Sequence, residues 1–149
     1  MADIERSLAF YCGILGFQLT TRYGGQAAFI SAGGYHHHIG LNTWESLGGT
    51  PPPPGTTGIY HHAILYPSRQ ALADAYRRLL DAGWPITGAS DHGVSEAIYL
   101  DDPDGIGVEL YRDRLREEWP RDQDGEITMV TRRLDLASLL AETGEGSRP

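Results

Sequence analysis

Apolar residues recur at helical spacing near the start of the chain, within the segment DIERSLAFYCGILGF. Asp3 stands where a helix cap belongs, and Gly16 follows the last turn. Three strand-like segments come next, FQLTTRY, QAAFISAGGY and HHHIGLNTW. The pattern therefore predicts one helix followed by three strands. The apolar stripe of that helix consists of Ile4, Leu8, Tyr11 and Leu15.

The same order of elements recurs after a segment rich in proline and glycine. This segment, ESLGGTPPPPGTT, suits neither helix nor strand and is predicted to link two halves. IYHHAILYP then predicts a strand, and SRQALADAYRRLLDAGW predicts a helix capped by Ser68 and ended by Gly83. HGVSEAIYLDDPDGIGVEL predicts a hairpin around DDPDG. The second half reads β-α-β-β-β, whereas only two residues precede the first helix, so the repeat predicts a missing first strand in the first half.

The chain after Arg114 is predicted to hold a possible short strand and a helix from about Leu134 to Ala141. Trp119 in this extension could form a lid, or the extension could dock on the outside of the chain or on a second subunit. Residues 143–149 are expected to be disordered. The predicted division is a first module at 1–44, a linker at 45–57, a second module at 58–114 and a C-terminal extension at 115–149.

Composition and charge limit the possible functions. The 149 residues suffice for one sizeable core, or for two small modules that share one. A formal net charge of −8 disfavours nucleic acid or an anionic membrane as partner, since both require a basic face. Cys12 is the single cysteine, so an internal disulfide is impossible, and no apolar run approaches a membrane span. We expect a soluble, cytoplasmic bacterial protein.

Polar side chains in the predicted hairpin raise a chemical question. His92 precedes its first strand, Tyr99 lies within that strand, and Glu109 lies in the middle of the second strand. A carboxylate on an otherwise apolar strand must be paired or bound to metal if it is buried. The ordinary alternative is a glutamate on an exposed face.

These modules and this hairpin resemble the vicinal oxygen chelate superfamily, which includes glyoxalase I, bleomycin-resistance proteins and extradiol ring-cleavage dioxygenases. The resemblance covers residues 1 to about 114. It implies an α+β fold in which two paired β-α-β-β-β modules form a half-barrel cup around a divalent metal. The hairpin is similar to the extradiol dioxygenase signature, with Ser90 as the one departure. The matching residues are His92, Ile98, Tyr99, Asp102, Pro103, Gly105 and Glu109.

The resemblance implies metal-binding roles for His61 and Glu109. The favoured metal is Fe(II), bound by two histidines and one carboxylate on one face, with Mn, Ni or Zn as alternatives. His61 and His62 would point to opposite faces of a strand, so at most one of them can enter the cup.

Catalytic roles are implied for His92, Tyr99 and His38. His92 would exchange a proton with the substrate, and Tyr99 would donate a hydrogen bond to a substrate oxygen. His38, the last of three consecutive histidines on a predicted strand, matches a further active-site histidine of the dioxygenases. His36 would share its face and His37 would not, and an ordinary surface role is the alternative for both.

Three functions are compatible with these residues. The favoured one is a metal-dependent extradiol-type dioxygenase that cleaves a catechol-like aromatic diol with dioxygen. The alternatives are a glyoxalase-type isomerase or lyase and a metal-free binding protein of the bleomycin-resistance kind. Dioxygenases of the superfamily place their first histidine on the missing strand, so the third ligand is expected from an upstream natural start, from His38, from a partner chain or from water. An unpaired sheet edge also favours association, and a homodimer is expected.

Overall fold

The computed structural model describes residues 1–144. Their contacts divide the chain into two compact units, one formed by Met1–Tyr60 and Asp101–Ile106, the other by His61–Leu100 and the chain from Gly107 onward. Residues 145–149, which belong to the stretch expected to be disordered, lie outside the described residues. No helix of the described chain is long and apolar enough to cross a membrane.

The first unit begins with the predicted helix. Helix α1 spans Ile4–Leu8 and continues as a π-helical segment, Ala9–Ile14. The Asp3 side chain accepts a hydrogen bond from the Arg6 backbone N–H at 3.0 Å, and Gly16 ends the helix at φ +87°, a conformation that favours glycine. The predicted cap, stop and apolar stripe are all confirmed. The stripe is buried at Ile4, Leu8, Tyr11 and Leu15.

An antiparallel sheet of three strands follows, in the order β1-β2-β3. Strand β2 is largely buried, and β1 is exposed at every residue. The prediction that His36, His37 and His38 lie on a strand is wrong. Gly33 and Gly34 turn the chain at positive φ, and the histidines form the return of the loop. The His38 N–H donates to the Ile30 carbonyl at 2.8 Å, and β3 begins at the next residue, Ile39. The strands are β1 at Gln18–Tyr23, β2 at Ala27–Ser31 and β3 at Ile39–Asn42.

The second unit contains a sheet in the order β4-β7-β6-β5-β8, in which β4 and β7 are parallel and β5 pairs antiparallel with β6 and β8. Helix α2, Arg69–Asp81, connects β4 to β5. The predicted β-α-β-β-β order is therefore confirmed for this half, and the α+β class for the chain. The strands are β4 at His61–Leu65, β5 at Gly88–Asp91, β6 at Ser95–Asp101, β7 at Gly107–Asp113 and β8 at Arg132–Arg133.

Helix α2 ends where its sequence indicates. The Ser68 hydroxyl accepts from the Ala71 N–H at 3.1 Å, and Gly83 follows the helix at φ +63°. One face of the helix is buried in the core of the second unit. This face consists of Leu72, Ala73, Ala75, Tyr76 and Leu79.

The C-terminal extension packs on the second unit. It contains a short 3₁₀ turn at Arg116–Glu118, the strand β8 and helix α3 at Leu136–Leu140. Strand β8 extends the sheet at β5, and the Arg69 guanidinium of α2 donates to the Ser138 carbonyl of α3 at 3.2 Å. The predicted short strand and helix are thus present, and both contact the second half of the chain.

Candidate functional site

The parallel strands β4 and β7 hold His61 and Glu109 next to each other. In the register of this pair, Gly107 lies opposite His61. Side chains alternate along β7, so Val108 and Leu110 enter the core while Glu109 points to the other face. Oε2 of Glu109 lies 3.2 Å from Nε2 of His61. The question raised by the sequence is answered here, because the carboxylate is half-buried and paired.

Tyr99, on the neighbouring strand β6, contacts the second oxygen of the same carboxylate. Its hydroxyl donates to Oε1 of Glu109 at 2.9 Å. Burial and this carboxylate raise the pKa of Tyr99 to about 12. The phenol therefore stays protonated through the neutral range and serves as a hydrogen-bond donor.

His92 completes the row from the turn that follows β5. Its Nε2 lies 2.9 Å from the Tyr99 hydroxyl oxygen, and its Nδ1 lies 3.0 Å from the Val130 carbonyl oxygen. Three of the sheet's strands and one turn thus bring four side chains into a continuous series of polar contacts. We refer to His61, Glu109, Tyr99 and His92 as the polar chain.

The contacts of the polar chain determine which of its atoms carry hydrogens. The Val130 carbonyl and the Glu109 carboxylate only accept, so Nδ1 of His92 and Nε2 of His61 carry hydrogens when they contact these oxygens. The single Tyr99 hydrogen then goes either to Glu109 or to Nε2 of His92. All contacts are hydrogen bonds at once only when His92 is an imidazolium. The hydrogen on Nε2 of His92 therefore decides whether the Tyr99 hydrogen points to His92 or to Glu109.

The spacing of His61 and Glu109 also suits a shared cation. Metal–ligand bonds of about 2.1 Å place neighbouring ligand atoms roughly 3 Å apart, and the two atoms lie 3.2 Å apart. Among residues 1–144, however, no group of three or more His, Cys, Asp or Glu side chains could hold a metal. The described chain thus offers a nitrogen and an oxygen ligand, and further ligands must come from outside this pair.

His38 belongs to the first unit and not to the polar chain. Its Nδ1 accepts from the Ala32 backbone N–H at 3.3 Å and lies 3.2 Å from the Ser31 hydroxyl. The neighbouring rings of His36 and His37 contact each other through their Nδ1 atoms at 2.8 Å. A catalytic role for His38 stays a prediction.

Val130 could not be identified as a site residue from the sequence. The contribution of this residue to the polar chain is a backbone carbonyl, which every residue has, and its neighbours in sequence show no motif. Only the pairing of β8 with β5 brings it to His92. Trp119 was singled out in the same extension, and its indole N–H donates to the Arg114 carbonyl at 3.0 Å, which ties the extension to the end of β7.

Comparison with known families identifies the superfamily of the chain. The model of the Glyoxalase/Bleomycin resistance protein/Dioxygenase superfamily matches residues 1–110. The chain belongs to this superfamily. Solved structures of the superfamily share its fold, among them a glyoxalase/dioxygenase from Nostoc punctiforme, with a TM-score of 0.64, 22% identity and coverage of 77% of this chain and 86% of that one. A superfamily domain from Frankia sp. EAN1pec has a TM-score of 0.62, 24% identity and coverage of 76% and 91%.

Curated members of the superfamily point to a more specific group. A catechol-2,3-dioxygenase of Bacillus subtilis is 43% identical over 144 residues, which is 96% of this chain and 49% of the relative. A biphenyl-2,3-diol 1,2-dioxygenase of Rhodococcus globerulus is 33% identical over 87 residues, 58% of this chain and 46% of the relative. The chain spans about half the length of the curated relatives it matches.

Proposed function

We propose that this chain supplies the metal-binding and proton-transferring residues of an extradiol-type dioxygenase, which cleaves a catechol-like aromatic diol with dioxygen. The observation that carries the proposal is the polar chain, in which a His–Glu pair suited to a cation is joined through Tyr99 to a second histidine. The names of the curated relatives, a catechol dioxygenase and biphenyl-diol dioxygenases, support the same reaction class.

His61 and Glu109 would hold the divalent metal. A bound Fe(II) would supply the redox chemistry that dioxygen requires and would gather the diol oxygens beside the polar chain. The His61 imidazole would have to be without its Nε2 hydrogen, and the Glu109 carboxyl ionised, for the two residues to hold the metal. Metal binding is therefore expected to release a proton and to weaken as the pH falls.

Tyr99 and His92 would act on the substrate. A catechol hydroxyl must lose a proton when the diol binds as an anion, and Nε2 of His92 can accept it while Nδ1 stays bonded to the Val130 carbonyl. Tyr99 remains a phenol near neutral pH and can donate its hydrogen to a diol oxygen instead of to Glu109. Each of the two residues thus has one task, set by its hydrogen-bond partners.

The first test is the metal content and oxygen uptake of the full chain. Protein purified without chelator is analysed for Fe, Mn, Ni and Zn, loaded anaerobically with Fe(II), and mixed with catechol in an oxygen electrode. Uptake that depends on Fe(II) supports the proposal. Bound metal without oxygen uptake favours an isomerase or lyase of the superfamily, and a chain that binds neither Fe(II) nor other divalent metals favours a binding protein.

The decisive variant is His92→Phe. It is expected to keep the metal and lose turnover by roughly 100- to 10,000-fold, because proton transfer and not coordination is removed. His36→Phe, an exposed histidine in the loop before β3, is the matched control and should retain both metal and turnover. Full activity of His92→Phe would remove His92 from the mechanism.

A further inference from the structure

The C-terminal extension contacts the Nδ1 side of the His92 imidazole, the side away from Tyr99. Nδ1 lies 3.0 Å from the Val130 carbonyl oxygen, whereas Nε2 faces the Tyr99 hydroxyl at 2.9 Å. A carbonyl oxygen has no hydrogen to donate, so the first contact is a hydrogen bond only while Nδ1 is protonated. In the neutral ring, Nε2 is then the nitrogen with the lone pair, and it can accept the Tyr99 hydrogen in place of Glu109.

Val130 is joined to His92 a second time, through the backbone. The Val130 N–H donates to the His92 carbonyl at 3.1 Å. The adjoining residues continue this pairing, since Arg132 of β8 lies opposite Asp91 of β5. The Val130 carbonyl is therefore fixed relative to the His92 backbone, and the direction of the side-chain hydrogen bond is fixed with it.

Gly93 allows the extension to approach this closely. A Cβ atom at Gly93 would lie 2.9 Å from Cγ of Pro120 and 3.3 Å from Cγ2 of Val130. The residue also has φ +76°, which favours glycine. Pro120 and Val130 thus pack directly on the turn that carries His92, with no space left for a side chain between them.

The chain between Pro120 and Val130 is ordered by its own hydrogen bonds. The Thr128 N–H donates to the Pro120 carbonyl at 2.9 Å, and Arg121 and Ile127 form an antiparallel bridge. The Asp122 carboxylate accepts from the backbone N–H groups of Asp124 and Glu126, each at 2.9 Å. We call residues 120–130 the bracing hairpin.

We infer that the bracing hairpin is a positioning element, which fixes His92 as the Nδ1–H tautomer through the Val130 carbonyl and so keeps the Nε2 lone pair directed at Tyr99. The opposite tautomer would place a nitrogen lone pair against the carbonyl oxygen, which is repulsive. Val130 is the positioning residue and His92 the group that acts. That this Nε2 serves as a base toward substrate rests on the proposed function; the tautomer itself does not.

The test reads the tautomer in the full chain without metal, substrate or catalysis. Histidine side chains are labelled with ¹⁵N and recorded by NMR at a pH about two units above the ordinary histidine pKa of about 6.5, and the His92 signals are assigned by their loss in His92→Gln. The wild-type protein should show a protonated Nδ1 and an unprotonated Nε2 for this ring. An Nε2–H tautomer in the wild-type protein would overturn the inference.

Two variants change the brace, and a third controls for the side chain. Val130→Pro removes the N–H that holds the Val130 backbone to His92 and should give a mixture of tautomers, whereas Val130→Ala keeps both backbone groups and the wild-type tautomer. An α-hydroxy acid in place of Thr131 converts the Val130–Thr131 amide to an ester, which weakens the carbonyl as an acceptor and leaves the Val130 side chain intact. The ester protein decides the question if Val130→Pro does not fold. An unchanged tautomer in the ester variant contradicts the inference.

Activity separates the two proposals. If the wild-type protein consumes oxygen with catechol, Val130→Pro should lower kcat on the order of 100-fold with little change in KM, since the base is misdirected and the substrate contacts remain. Val130→Ala should restore the wild-type value. If the tautomer changes in the Val130 variants but the wild-type protein has no oxygenase activity, the positioning role is supported and the proposed function is refuted. If the wild-type protein is active but the tautomer does not change in the variants, only the positioning role is refuted.

Discussion

Glu109 has two different partners for its two oxygens, and this division is what gives the carboxylate its place in the proposed chemistry. Oε2 faces the His61 imidazole, and Oε1 accepts from Tyr99. A cation can therefore share Oε2 with His61 while Oε1 keeps its hydrogen bond. A single oxygen could not serve both purposes as well, because metal coordination and hydrogen bonding would compete for its lone pairs.

Removal of this carboxylate should abolish metal retention. We expect Glu109→Ala to lose bound Fe(II) or Zn(II) while the fold survives, because the residue is half-buried at the sheet face and not in the core. Elemental analysis after gel filtration gives the metal content, and circular dichroism gives the fold. Glu117→Ala, an exposed carboxylate in the 3₁₀ turn, is the control. Unchanged stoichiometric metal in Glu109→Ala would refute the ligand assignment.

Asp91 should make the stability of the second unit depend on pH. Burial acts to raise the pKa of Asp91, but the Gly93 N–H and the Arg114 guanidinium, each at 2.8 Å, outweigh it and lower the pKa. A lowered pKa means that the ionised group stabilises the fold above the unfolded value of about 3.9, and that this contribution is lost as the pH falls through the folded value.

We therefore expect Asp91→Asn to reduce the free energy of unfolding by about 1–2 kcal/mol at neutral pH, and by much less near pH 3. Urea unfolding at both pH values measures the difference. Glu117→Gln, which removes an exposed carboxylate, should show little change at either pH. A deficit of equal size at both pH values would show that the charge of Asp91 is not what stabilises the turn.

Most side chains of the polar chain could be found from the sequence, since His61, Tyr99 and Glu109 stand on strands whose alternation assigns their faces. Which atoms touch could not be found, because it depends on the register between β4 and β7. No motif in the sequence predicts the role of the Val130 carbonyl. Site residues that act through a side chain can be predicted from the sequence, whereas a residue that acts through its backbone carbonyl cannot.

Strand β6 carries a buried charge on the face opposite to the Tyr99 side chain. Glu96 is 3% exposed, and its carboxylate accepts hydrogen bonds from Arg69, Arg112 and Arg114. Because these arginines belong to α2, to β7 and to the chain after β7, the cluster ties three parts of the second unit to one residue. Loss of the carboxylate would take the ion-pair partner from Arg112, whereas Arg69 would keep Glu142 and Arg114 would keep Asp91.

The corresponding prediction is that Glu96→Ala lowers the free energy of unfolding by about 3–5 kcal/mol. Glu5→Ala removes an exposed ion pair with Arg22 and should change the free energy of unfolding far less than Glu96→Ala does. Guanidinium chloride would itself screen ion pairs, so urea is the denaturant. Equal losses in the two variants would mean that burial adds nothing to the Glu96 cluster.

At the scale of elements, caps and stops were predictive because they act locally. Asp3, Gly16, Ser68 and Gly83 each satisfy or turn the backbone within a few residues. The His36–His38 segment was assigned to a strand wrongly, since its alternation could not reveal that two preceding glycines turn the chain into a wide loop. The β8 strand is so short that only its partner β5 defines it.

In the whole molecule, the chain between β3 and β4 should be the first to be cut by a protease. Every residue of the 51–60 segment is exposed, and it forms neither helix nor strand. Brief digestion with proteinase K should therefore cleave first within 55–60, beyond the prolines, because local unfolding there costs least. Mass spectrometry of the first fragments locates the cut. The exposed 121–127 loop is the internal comparison, and an earlier cut there would contradict the expectation that its Asp122 turn protects it.

The turn of the β6–β7 hairpin changes how this family's signature should be used. Asp102 is 4% exposed and accepts from the Tyr11 hydroxyl at 3.0 Å and from the backbone of Asp104 and Ile106, all within the first unit. The contacts of Asp102 thus explain its place in the signature by packing, whereas the proposed function gives Tyr99 and Glu109 a chemical role. A related protein could keep the Asp-Pro-x-Gly residues of the signature after it has lost all activity. If the proposed function is right, a survey that gives Tyr99 and Glu109 more weight than Asp102 will separate such proteins from dioxygenases, whereas equal weights will not.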